Sequence, residues 1–138
     1  MRTLSRWLAW SWKWNGKKFD KPPLNARTGE LAKSTDPATW CSFQEAIDAH
    51  LSGRFDGVGF ALGNDPSGVT FSGLDIDKCR DPETEAIGAD AVFLASTLDS
   101  YAEISPSGLG LKVFCTGPLV GQGRKKDDAR GIEFYDGG

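Results

Sequence analysis

In Gly73-Leu74-Asp75-Ile76-Asp77 apolar and acidic side chains alternate with a period of two. Successive side chains of a strand point to opposite faces. Leu74 and Ile76 are therefore expected to enter a core while Asp75 and Asp77 project together on the other side. Two carboxylates held side by side repel and need a cation, and hard oxygen ligands select magnesium or manganese. An exposed polar strand face produces the same pattern without a metal, so the motif takes its meaning from its surroundings.

Those surroundings mix strands and helices. Ser42-Phe43-Gln44-Glu45 is a capping box, and Phe43, Ala46, Ile47 and Leu51 follow at helical spacing until Gly53. Asp36-Pro37 opens a short turn through Trp40, and Asp81-Pro82 is expected to open a second helix buried through Ile87, Ala91, Leu94 and Leu98. Strands are expected over 57–62 and 70–77, then over 101–104, 111–115 and 131–135. Helices and strands do not alternate strictly, which predicts an α+β fold with a mostly antiparallel sheet. A chain of 138 residues has the length of one domain. Its longest apolar runs, such as 91–95, are far too short to span a membrane, and no secretory signal is expected. Three dispersed cysteines (Cys41, Cys79, Cys115) and a lone histidine, His50, fit neither a disulfide framework nor a structural zinc site. A reducing, cytoplasmic setting is expected.

Charge is distributed unevenly. Residues 1–33 carry eight Lys or Arg against two acids, whereas residues 34–123 carry four against thirteen. A basic arm beside an acidic centre suits a protein that holds phosphates with one segment and a divalent cation with another; the alternative is a solvated basic surface. Four of the five tryptophans fall in the first fourteen residues, and Trp10, Trp12 and Trp14 alternate as along one strand face. Their size favours the core, although such rings also stack nucleic-acid bases. Lys21-Pro22-Pro23 and Arg27-Thr28-Gly29 mark turns or a hairpin. Further on, Ser105-Pro106-Ser107-Gly108-Leu109-Gly110 is a loop whose small residues would let backbone approach a ligand, with hydroxyls suited to phosphate oxygens and Lys112 as a point charge just beyond. In Gly131-Ile132-Glu133-Phe134-Tyr135, Ile132 and Phe134 are expected to face the core and Glu133 the opposite side.

Taken in order, these motifs resemble the primase-polymerase module of the archaeo-eukaryotic primase superfamily, in the form found in phage and plasmid replication proteins. The resemblance runs through the tryptophan-rich segment, Lys21-Pro22-Pro23, Thr28-Gly29, Thr35-Asp36-Pro37-Ala38-Thr39-Trp40, Gly57-Val58-Gly59-Phe60, Asp75 and Asp77, the loop from Ser105 to Gly110, and Glu133. It covers nearly the whole chain. It implies one catalytic domain over 1–138 with an RRM-like core, and template-directed nucleotidyl transfer in which Asp75, Asp77 and Glu133 bind two Mg2+ or Mn2+ ions. Ser105, Ser107, Gly108, Gly110 and Lys112 would bind the nucleoside triphosphate. Lys21, Arg27, Arg124, Lys125 and Lys126 would contact phosphates or a single-stranded DNA template and primer. A helicase domain or subunit is an expected companion in a longer parent.

Two departures from the family pattern stand out. Many members place a histidine where this chain has Lys112, and the family continues with further strands after the third acid, so the domain is expected to be incomplete at its C-terminus. The competing readings are a nucleotide- or nucleic-acid-binding remnant without catalysis and an unrelated metal or structural protein.

Overall fold

Ser42 and Glu45 start the first helix by the reciprocal bonds their spacing allows. The Ser42 hydroxyl accepts from the Glu45 N–H, and the Glu45 carboxylate accepts from the Ser42 N–H at 2.9 Å. The computed structural model describes residues 1–118 and 125–137, and the chain divides into two compact units, 1–61 and 62–138. Every strand pairing among the described residues is antiparallel, as expected for the α+β class.

The first unit holds strands β1 (Trp7–Trp10), β2 (Lys13–Trp14), β3 (Phe19–Asp20), β4 (Pro23–Leu24) and β5 (Gly57–Phe60), with helix α1 (Phe43–Leu51). β1 is the centre of a three-stranded sheet between β4 and β5, while β2 and β3 form a separate hairpin. The core is built of small residues, Ala9, Ala26, Cys41, Ala46 and Ala49, together with Phe55. Small side chains let the helix lie close to the sheet. Within the sheet, Gly57 of β5 makes room for its cross-strand partner, because a Cβ there would come within 2.4 Å of the Trp10 indole. The tryptophan alternation does not make one strand. β1 ends at Trp10, and the Trp12 N–H leaves the sheet to donate to Asp56 Oδ2 at 2.8 Å. Trp12 and Trp14 are exposed, which corrects the expectation that they belong to the core.

The second unit contains β6 (Gly63–Asn64), β7 (Thr70–Ile76), α2 (Ala89–Leu98), β8 (Ala102–Ile104), β9 (Leu111–Thr116), β10 (Lys125–Asp127) and β11 (Ile132–Tyr135). The sheet order is β10-β11-β7-β9-β8, with β6 also paired to β7. One face carries Leu74, Ile76, Leu111 and Val113, joined by Ala91 of α2 and bordered by Leu94, Leu98, Ile132 and Phe134. Each such large aliphatic side chain contributes about 1.5–3 kcal/mol by leaving water. Leu74, Ile76, Ile132 and Phe134 thus face the core as their alternation predicts.

The second helix starts later than Asp81-Pro82 implies. Asp81 Oδ1 does accept from the N–H groups of Glu83 and Thr84. Glu85 then takes a left-handed backbone (φ 62°), and Ile87 bridges back to Arg80. The capped turn therefore closes on itself, and α2 begins only after Gly88. Cys41, Cys79 and Cys115 are all free thiols, and among the described residues no helix is long and apolar enough to cross a membrane.

Candidate active site

Register in the second unit's sheet lines up five charged residues. Lys126 of β10 lies opposite Glu133 of β11, Glu133 opposite Asp75 of β7, Asp75 opposite Lys112 of β9, and Lys112 opposite Glu103 of β8. Direct partners on antiparallel strands share a face, so these side chains form one row on the side away from the apolar core.

Within that row the contacts are specific. Lys112 Nζ donates to Asp75 Oδ2 at 2.5 Å, and both side chains are largely buried, at 26% and 20% exposure. Asp75 Oδ1 is buried and, among the described residues, has no hydrogen-bond partner. Lys126 Nζ lies 3.2 Å from Glu133 Oε1 and 2.6 Å from Asp128. Its bonds to Asp128 first and Glu133 second push the ammonium pKa up from the ordinary lysine value. The Tyr135 hydroxyl donates to Glu133 Oε2, and across the sheet the Tyr101 hydroxyl donates to Glu103 Oε2 at 2.8 Å. Two adjacent carboxylates are thus held between two ammonium groups, with one buried carboxylate oxygen unsatisfied. Leaving such an oxygen without a partner is costly, and a hard cation in front of it is one way to satisfy it.

Asp77 follows directly after the strand that carries Asp75. β7 ends at Ile76, and Asp77 is exposed in the turn that follows, where its N–H donates to the Gly131 carbonyl at 2.8 Å. Lys78, next in that turn, is left-handed at φ 52°. Among the described residues no group of three His, Cys, Asp or Glu side chains is gathered closely enough to hold a metal ion. Asp75 and Glu133 are the pair that the fold brings together.

The serine-glycine loop packs against the end of β7. Ser105 is buried; its hydroxyl accepts from the Gly110 N–H at 3.0 Å and lies 2.9 Å from the Ser107 hydroxyl. Both hydroxyls are engaged within the loop. Gly108 takes φ 77°, and its carbonyl accepts from Arg80 Nη1 at 2.9 Å. A Cβ at Gly110 would come within 2.8 Å of the Ile76 carbonyl oxygen, so glycine is what lets the loop lie this close to the strand. Arg80, largely buried between this loop and Glu85, went unmarked by sequence reasoning.

The expected phosphate contacts separate. Lys125 is exposed and lies opposite Phe134, on the other face from the carboxylates, whereas Lys126 joins them. Only the register between β10 and β11 could distinguish these two neighbours. Arg124 lies outside the described residues. In the first unit, Arg27 is committed to Glu45 through Nε at 2.7 Å and Nη2 at 2.9 Å, and to the Trp40 carbonyl at 3.1 Å. Lys21 lies over the Trp12 ring at 5.3 Å.

An antiparallel α+β sheet with paired carboxylates flanked by lysines defines a class of site rather than a single protein, and comparison narrows it. No protein-family profile matches the chain. Over 142 aligned positions that take in the whole chain, it is 34% identical to a DNA primase-polymerase of Nitratiruptor phage NrS-1. The chain spans 19% of that protein's length. The similarity supports a primase-polymerase-like relationship, in agreement with the order of the motifs.

Proposed function

We propose that the chain is the nucleotidyl-transfer part of a phage- or plasmid-type DNA primase-polymerase of the archaeo-eukaryotic superfamily, with an RRM-like core and Asp75 and Glu133 at its centre. The observation that carries this reading is the cross-strand pairing of Glu133 with Asp75, two acids 58 positions apart in sequence, beside Lys112. The whole-chain similarity to a phage primase-polymerase supports the same reading.

In this proposal Asp75 and Glu133 hold Mg2+ or Mn2+ through hard carboxylate oxygens, the buried Oδ1 of Asp75 among them. A bound divalent ion supplies Lewis-acid polarisation of a hydroxyl and neutralisation of phosphate charge. The two-ion arrangement requires Asp77 to join from the turn after β7. Lys112 holds negative charge in place, as a carboxylate partner here and for a triphosphate once substrate is bound. Tyr135 and Lys126 orient Glu133. Gly108 and Gly110 shape the loop beside the site, and Ser105 and Ser107 brace it. Catalysis then rests on positioning and charge. The nucleoside triphosphate, a single-stranded template and primer are the partners, with a helicase domain or subunit in a longer protein and a cytoplasmic setting.

One observation favours the second reading, a nucleotide- or nucleic-acid-binding remnant without catalysis: the two ammonium groups already sit on the carboxylates that a metal would use. Primer-extension and de novo synthesis assays in Mg2+ or Mn2+, on this chain and on a longer parent, decide between them. The proposal expects synthesis that Asp75→Asn lowers about a hundredfold or more, the scale of losing one preorganised electrostatic group. Nucleotide binding without synthesis in both proteins would establish the remnant reading instead.

A further inference from the structure

The β2–β3 hairpin belongs to the first unit and shares no residue with the carboxylate row. Its aromatic rings are turned outward: Trp14 is 56% exposed, Phe19 62% and Trp12 39%. Trp14 and Phe19 are direct cross-strand partners with ring centroids 5.2 Å apart. Phe19 lies 6.5 Å from Trp12, and Trp12 5.4 Å from Trp10, so the rings form one continuous run from the sheet to the hairpin. A cluster of water-exposed rings marks an interaction surface.

The charge around them states what kind. Lys13, Lys17, Lys18 and Lys21 are all exposed on or beside the hairpin, against Asp20 alone over the same stretch. Asp20 is itself engaged, by Lys18 at 3.7 Å and by the Asn15 carboxamide at 2.5 Å. The Asn15 Oδ1 accepts from the N–H groups of Lys17 and Lys18, which fixes the turn that displays them. A cleft of about 460 Å3 runs beside the hairpin, lined by Lys13, Trp14, Lys21 and Leu31 among others.

We propose that this hairpin is a binding platform for single-stranded nucleic acid, with bases stacked on Trp14 and Phe19 and phosphates met by Lys13, Lys17, Lys18 and Lys21. Every base offers a π-face, so stacking tolerates sequence, and the lysines supply the attraction to a polyanion. A partner protein seated on the same surface would gain from the apolar area but not from the planarity of the rings. Choosing nucleic acid over an acidic protein rests on the template-directed reading above; the binding itself does not involve the carboxylates.

The test is fluorescence anisotropy with a labelled twelve-residue oligothymidylate, in EDTA, on the full 138-residue chain. Affinity is expected to fall with salt with a logarithmic slope of about −2 to −3, for roughly four phosphates neutralised. Trp14→Leu and Phe19→Leu, which keep apolar bulk and remove the stacking face, are each expected to weaken binding about tenfold. Trp14→Phe should retain most of it. Both rings are exposed, so an unchanged melting temperature accompanies these losses; should a leucine variant melt early, Lys17→Gln with Lys18→Gln must still weaken binding and flatten the salt slope. Unchanged affinity in the Trp14→Leu, Phe19→Leu double variant overturns the platform. Asp75→Asn separates the two proposals. If it abolishes synthesis but binds the oligomer normally, both stand. Synthesis lost in Asp75→Asn together with binding indifferent to the rings overturns the platform alone. Ring-dependent binding, with synthesis absent from both this chain and a longer parent, leaves the platform standing and overturns the catalytic reading.

Discussion

Lys112 and Lys125 show how little a residue's type says about its role until its partner is known. Lys112 holds a mostly buried carboxylate across two strands, whereas Lys125 is exposed opposite Phe134. Lys112→Ala is therefore expected to destabilise the fold by about 1–3 kcal/mol, a buried pair discounted for partial solvent access. Lys125→Ala should stay within about 0.5 kcal/mol of wild type. Urea denaturation measures both, and equal small effects would mean that the Lys112–Asp75 pair contributes nothing. Arg27 and Glu45 provide a second case. The Arg27 side chain, then the Ser42 N–H and hydroxyl, lower the Glu45 carboxyl from 4.5 to about 2. A folded pKa below the unfolded one stabilises fully above the unfolded value, and the gain disappears as pH falls from about 4.5 toward about 2. In Arg27→Gln the Glu45 carboxyl should titrate closer to 4.5 when followed by carbon NMR. An unchanged titration would contradict the role of the ion pair.

At the scale of elements, what was legible was whatever a few neighbouring residues decide. The Ser42–Glu45 capping box is local and starts α1 where it should. Leu74 and Ile76 alternate within one strand, and that strand buries them. Asp81 is equally local, and its carboxylate does cap a turn, but the left-handed Glu85 and the bridge from Arg80 to Ile87 end that turn before a helix can propagate. The tryptophan alternation failed for a related reason: pairing of β1 with β4 and β5 ends at Trp10, so Trp12 and Trp14 lie outside that sheet and are exposed. The loop after β8 makes its own prediction. A methyl at Gly110 meets the Ile76 carbonyl at 2.8 Å, backbone that cannot yield cheaply. Gly110→Ala should cost about 1–3 kcal/mol, the range for overpacking, in a thermal or urea melt. Stability equal to wild type would show that the loop does not seat on β7 in this way.

For the whole molecule, the candidate site depends on long-range register that no local pattern displays. Glu133 looks ordinary in its own strand, and it acquires meaning only because β11 pairs with β7 and sets it opposite Asp75. Lys126 enters the row by the same logic from β10, whereas Asp77 lies just past the end of β7. The motif order singled out Asp75 and Glu133 as acids, but their pairing and the lysines beside them come only from the register of β10, β11, β7 and β9. Since Glu133 and Glu103 close the row around Asp75 and Lys112 from opposite sides, they provide the most direct test. Primer extension should be measured in Mn2+ for the wild-type, Glu133→Gln and Glu103→Gln forms of the proposed longer protein. Glu133→Gln is expected to lower extension about a hundredfold or more, and Glu103→Gln to leave it within a few-fold of wild type. Extension that survives Glu133→Gln but is lost in Glu103→Gln would contradict a catalytic centre between β7 and β11.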